Sequence, residues 1–180
     1  KTNYPFNETI EISVQPAQEA DFPLEFRIPG WCMDPVMDVN GSEVAIERTP
    51  KGFARVHRAW KPGDIVRLHL PMTASLQTGR DATLNALHDG AHRATPVTIP
   101  EEDSTRGVPY ASVSYGPLLF ALPIPDTVDA NTPDPSARWK FALDVQEPNF
   151  SIQRDAMPAK WNWPLAAPLK LQANAVEVAW

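Results

Sequence analysis

Cysteine is nearly absent. The lone Cys32 cannot close an intramolecular disulfide or build a multi-thiolate metal site, so it says nothing about redox compartment. No run approaches the roughly 20 apolar residues that a membrane-spanning helix needs, and no charged, apolar and small-residue series marks a signal peptide. The chain therefore reads as soluble, with no membrane span and no assigned compartment. It starts at Lys1 rather than Met and is treated as a mature or excised piece. Glycine is sparse, with eight residues against twenty prolines. Each proline fixes φ and removes a backbone donor, which disfavours long helices and favours short strands joined by stiff loops. Basic stripes are missing as well: the net charge is −6 and the Lys and Arg residues are interspersed, which argues against nucleic acid as a partner.

What remains is a chain of 180 residues, 43% apolar, long enough for one sizeable core or two small ones. Glu8 to Val14 alternates strictly and puts Ile10, Ile12 and Val14 on one face, as a half-buried strand requires. Pro23 to Ile28 repeats the pattern with Leu24, Phe26 and Ile28, and Pro29-Gly30 stops it. These two runs are expected to pair as a hairpin. Asn40-Gly41 separates two short alternating runs and predicts a type I′ turn, in which both residues need positive φ. Phe53 to Arg58 and Ile65 to Leu70 flank the turn-rich Trp60-Lys-Pro-Gly-Asp64. The first 72 residues thus supply about six strands at the spacing of an antiparallel sandwich.

Beyond them the pattern breaks down, and residues 73–109 are expected to form a long loop excursion with one helical turn near Ala82 to Leu87. Tyr110 to Tyr115 and the apolar run Leu118 to Leu122 read as strands, the second suited to cover on both faces. Residues 126–138 are polar and proline-bearing, a linker or loop. Strands are expected in Trp139 to Val145, Phe150 to Arg154 and Leu169 to Val178, the last alternating at Val176 and Val178. The fold class is all-β, an antiparallel sandwich of jelly-roll or Greek-key type over residues 1–125. Residues 139–180 either complete it or form a second small β unit.

Residues that could carry chemistry are few. A glycosidase needs two carboxyl groups at a defined separation, one with a raised pKa. Glu101-Glu102-Asp103 lies in a polar loop with nothing nearby to desolvate a carboxylate. His88 and His92 have the i, i+4 spacing that holds zinc on a helix, but Gly90 between them opposes the helix. Asp126, Asp129, Asn131 and Asp134 match no calcium loop. There is no nucleophile elbow and no phosphate loop, and Cys32 beside Trp31 reads as a buried, inert thiol. No catalytic residue, metal ligand or cofactor is assigned to this fragment. Among the aromatics, Trp31 and Trp60 end strands beside turns and read as core caps, whereas Trp161 and Trp163 lie in an irregular, proline-flanked segment. Those two are the candidates for stacking on a sugar.

Six short motifs occur in order: Tyr4-Pro-Phe6, Phe26-Arg-Ile-Pro-Gly-Trp31, Val39-Asn-Gly41, Trp60-Lys-Pro-Gly-Asp64, Leu70-Pro-Met72 and Tyr115-Gly-Pro-Leu-Leu-Phe120. As a set they resemble the β-sandwich region that follows the catalytic barrel in the β-L-arabinofuranosidases of glycoside hydrolase family 127. Leu169 to Trp180 is similar to a later strand of that family ending in tryptophan. The resemblance implies an active site in an upstream (α/α)6 barrel, where a cysteine nucleophile sits in a zinc site of several cysteines and a glutamate. It carries no role onto Cys32, which stands outside any matching motif. The expected function is a non-catalytic accessory sandwich whose partner is that barrel. The alternative is a carbohydrate-binding module for arabinose-containing plant glycans, using Trp161 and Trp163.

Overall fold

The computed structural model describes residues 1–81, 108–122, 141–157 and 167–177. Its described elements are all strands and divide between two compact units, Lys1–Thr73 with Tyr115–Leu118, and Ala74–Ser114 with Leu119–Trp180.

In the first unit β1 (Thr9–Val14), β3 (Val36–Val39), β4 (Ser42–Glu43) and β7 (Asp64–His69) form a sheet in the order β1-β7-β3-β4. A second sheet, β2-β6-β5, contains β2 (Ala20–Arg27), β5 (Glu47–Arg48) and β6 (Phe53–Trp60). Every pairing in both sheets is antiparallel. The alternation behaves as the sequence predicts: Phe22, Leu24 and Phe26 turn inward on β2 while Asp21, Pro23, Glu25 and Arg27 face out. The shared core draws Val14, Met37, Val39, Val66 and Leu68 from one sheet and Ala54, Val56 and Trp60 from the other. The two sheets therefore pack face to face. Trp60 is fully buried, and its indole N–H donates to the Phe22 carbonyl at 2.8 Å.

The first two runs do not make the expected hairpin. β1 pairs with β7 in the register Ile12↔Val66, and β2 pairs with β6 in the register Leu24↔Val56. Residues 15–19 cross from one sheet to the other, so each strand buries its apolar face against a long central partner. The Asn-Gly turn forms as predicted: Asn40 and Gly41 have φ of 54° and 82°, and Val39 faces Ser42 across the tight turn.

Each sheet covers its outward face with one arginine on the central strand, bracketed by acids from both neighbours. Arg55 of β6 lies opposite Glu25 and Glu47 in register, at 2.6 and 3.7 Å. Arg67 of β7 lies opposite Glu11 and Asp38, at 3.1 and 3.6 Å. Exposed pairs of this kind contribute at most about 1 kcal/mol each. Opposite charges in directly facing positions do favour this register over a slip that would set like charges together.

A third sheet, β10-β9-β8, is formed by β8 (Ala74–Asp81), β9 (Val108–Tyr115) and β10 (Leu118–Phe120), most of whose residues belong to the second unit. The excursion expected over 73–109 thus opens as an eight-residue strand. Its signal is faint because apart from Ala74 and Leu76 the segment is polar, and Gly79 offers no side chain. The Tyr110 ring stands over that glycine, where an added Cβ would lie 2.7 Å from the phenol oxygen. The run Leu118 to Leu122 is not covered on both faces: Leu119 is 71% exposed and Leu122 54%. β10 is a short edge strand, which explains the exposure of an otherwise apolar segment.

The expected C-terminal strands are present. β11 (Phe141–Leu143) pairs with β14 (Ala175–Glu177), and β12 (Phe150–Arg154) pairs with β13 (Leu169–Ala173). The last run breaks at Asn174, and Val176 is exposed rather than inward.

Candidate functional site

Among the described residues, Glu8 makes polar contacts that join distant parts of the first unit. It precedes β1, and its carbonyl accepts the backbone N–H of Leu70 at 2.9 Å, extending the β1–β7 ladder by one rung. Its carboxylate accepts the Tyr115 hydroxyl at 2.6 Å and the Met72 backbone N–H at 3.3 Å, both on Oε1. His69 Nε2 stands 3.8 Å from Oε2, and the other ring nitrogen of His69 lies 3.3 Å from Thr9 Oγ1.

This corner joins two of the six sequence motifs, Leu70-Pro-Met72 and the one that starts at Tyr115. Tyr4 packs against the core, and burial pushes its phenol up from the ordinary tyrosine range. Met72 is buried against Gly116, whose φ is +56° and whose added Cβ would meet Met72 Sδ at 2.6 Å. A side chain at 116 would therefore need both a strained backbone and a displaced thioether. Tyr115 is buried and holds the start of the Tyr115–Leu118 segment to Glu8. The motif spacing singled out these segments but gave no sign that Glu8 joins them.

A second polar cluster lies at the opposite end of the strands. Asp64, 7% exposed, accepts Asn40 Nδ2 at 2.9 Å on one oxygen and the Lys61 backbone N–H at 2.8 Å on the other. The Lys61 N–H bond, then the Asn40 bond, hold its carboxyl below the usual aspartate range against the opposing effect of burial. Asn40 Oδ1 in turn accepts the Ile65 N–H at 2.8 Å. The cluster binds the Asn-Gly turn to the Trp60-Lys-Pro-Gly-Asp64 turn, two further motifs.

In chemical terms both clusters are anchors. The carboxylates of Glu8 and Asp64 accept hydrogen bonds from hydroxyl, amide and backbone donors. Cys32 is 3% exposed in the core, and burial pushes its thiol up, away from the thiolate that nucleophilic attack or zinc ligation needs. A single buried thiol does not fit a zinc site built from several cysteines. Among the described residues no three His, Cys, Asp or Glu side chains group to hold a metal ion.

Trp31 is partly buried against the core and Trp60 lies within it, as their positions beside turns suggest. Trp161 and Trp163 lie outside the described residues, as do Trp139, His88, His92, the acidic run 101–103, the helical turn expected near 82–87 and the oxygen donors between 126 and 134. Among the described residues no helix is long and apolar enough to cross a membrane.

Residues 1–72 match the family model described as the middle domain of GH127 beta-L-arabinofuranosidase. Among solved structures, a GH127 beta-L-arabinofuranosidase from Geobacillus stearothermophilus T6 aligns over 98% of this chain and 26% of its own, with 22% identity and a TM-score of 0.53. Another GH127 beta-arabinofuranosidase aligns over 97% of this chain and 27% of its own, with 20% identity and a TM-score of 0.55. At these identities the likeness is one of fold, and the chain spans about a quarter of the length of either structure. No curated protein matches it. The resemblance that the short motifs carry therefore holds: residues 1–72 have the sequence pattern of the GH127 middle domain, within a chain that shares the fold of part of GH127 enzymes.

Proposed function

We propose that this chain is a non-catalytic accessory β-sandwich of a GH127-type glycoside hydrolase, which supports an upstream catalytic barrel of the same polypeptide and performs no bond cleavage itself. The observation that carries the reading is the match of residues 1–72 to the GH127 middle domain, in a chain about a quarter as long as the GH127 arabinofuranosidases it resembles in fold. The side chains agree with a supporting role. Glu8 and Asp64 act as acceptors that tie loops together, and the Cys32 thiol is sealed in the core. The arginines on both sheet faces are bracketed by acids from neighbouring strands.

Zinc and a cysteine nucleophile belong, on this reading, to the barrel, and β-L-arabinofuranosides are the substrate class of the whole protein. Limited proteolysis of the full-length protein, followed by size-exclusion chromatography, tests the supporting role. The sandwich is expected to co-elute with the barrel after the connecting loops are cut. Elution as a separate body, with the barrel retaining its stability and activity, would overturn the reading.

A further inference from the structure

The Asn40-Gly41 turn carries a reactivity that its role as a hairpin does not use. Asparagine is a thermolabile residue, and a following glycine leaves the backbone nitrogen sterically open to attack the side-chain amide. In that reaction Gly41 N forms a bond to Asn40 Cγ, and the Asn40 amide nitrogen leaves as ammonia with the hydrogen from Gly41. Water then opens the cyclic imide at either carbonyl, giving aspartate or isoaspartate. The net change is gain of water and loss of ammonia.

All three reacting groups are held in the closed hairpin, and their partners pull them apart. Gly41 N–H, the nucleophile, donates to Asp38 Oδ1 at 2.9 Å. Asn40 Nδ2, the leaving group, donates to Asp64 Oδ1 at 2.9 Å, and Asn40 Oδ1 accepts the Ile65 N–H at 2.8 Å. The side-chain amide is therefore pinned toward the start of β7 while the attacking nitrogen is directed toward β3. Ring closure requires the amide to rotate away from Asp64 and Ile65, breaking both bonds. We propose that Asn40 is a conformationally gated deamidation site, protected while the β3–β4 hairpin is closed and converted irreversibly to an acid when it opens.

The product cannot return to the native arrangement. An aspartate at 40 would set its carboxylate against Asp64, a buried acid now 2.9 Å from an amide donor. Isoaspartate adds a backbone methylene to a two-residue turn that depends on positive φ at both positions. Opening of this hairpin thus leaves a permanent chemical record.

The test compares the full chain with a peptide spanning residues 36–44 at mildly alkaline pH, measuring amide-to-acid conversion at Asn40 by mass spectrometry. Conversion in the chain is expected to be at least about tenfold slower, because it waits on local opening. Equal or faster conversion in the chain would overturn the proposal. Asp64→Ala, which frees the leaving group, and Asp38→Ala, which frees the nucleophile, are each expected to raise the rate. If Asp64→Ala fails to fold, a rate in folded Asp38→Ala no higher than that of the parent chain would still contradict the gating. Asn40→Asp is expected to melt below the parent chain at neutral pH, and an unchanged melting temperature would refute the claim that the acid at 40 cannot regain the native arrangement.

Discussion

Truncation of Trp60 distinguishes a core tryptophan from a ring kept for sugar stacking. Its side chain has 0% exposure, and the ring lies 6.3 Å and 39° from that of Phe22. Its N–H satisfies the Phe22 carbonyl, and Arg58 Cζ sits 5.4 Å from the ring centroid. Losing a buried tryptophan side chain costs about 3–5 kcal/mol. The ring pair, about 0.5–1.5 kcal/mol, and the hydrogen bond, about 1 kcal/mol, overlap with that figure rather than adding to it. Trp60→Ala should therefore cost about 4 kcal/mol, a large share of the roughly 5–15 kcal/mol that holds a domain together. Trp60→Phe keeps much of the ring volume and loses the indole hydrogen bond to the Phe22 carbonyl, at about 1 kcal/mol. Urea titration followed by far-ultraviolet circular dichroism reads both variants without relying on the lost indole. A loss below about 1 kcal/mol in Trp60→Ala would refute the assignment of this ring to the core.

Tyr115→Phe removes one hydroxyl and leaves the partly buried Glu8 carboxylate short of a donor, so denaturant titration should show a loss of about 1–3 kcal/mol. The outward ladders should matter far less: Arg55→Ala, at a side chain 40% exposed, is expected to change stability by less than about 1 kcal/mol, and a larger loss would contradict the reading of these pairs as register guides. Asp64 sets a pH dependence. Its carboxyl is held low in the folded chain, so its contribution is complete above the unfolded aspartate range near about pH 4 and disappears as pH falls through the lower folded value. The stability gap between the parent chain and Asp64→Asn should therefore be widest near neutrality and narrow in acid, which thermal melts across pH will show. A gap that widened in acid would reverse the sign.

Strands and faces were legible in the sequence, but partners were not. Alternation fixes which side chains of β1 and β2 point inward, and Ile12, Val14, Leu24 and Phe26 do so. It carries no information about the neighbouring strand, and proximity in sequence suggested a hairpin where β1 instead pairs with β7 and β2 with β6, each far along the chain. Asn40-Gly41 was readable because the two left-handed conformations are local demands. β8 was obscured because Gly79 gains its packing from Tyr110, 31 positions along the chain, rather than from a side chain of its own. The apolar run at 118–122 misled for the opposite reason, since composition records hydrophobicity but not whether a strand lies at a sheet edge.

The anchors follow the same rule. Tyr115 and Leu70-Pro-Met72 were marked as motif residues, yet the acid that joins them lies outside every motif, 107 residues from Tyr115. A hydrogen bond over that separation leaves no periodic trace. The buried Cys32 was easier, because one thiol beside a tryptophan at a strand end has few roles other than packing.

The most direct measurement is release of L-arabinose from a synthetic β-L-arabinofuranoside by the purified chain at high protein concentration, after circular dichroism confirms its β structure. No release above the buffer rate is expected. Turnover that rises in proportion to the concentration of this chain would contradict it.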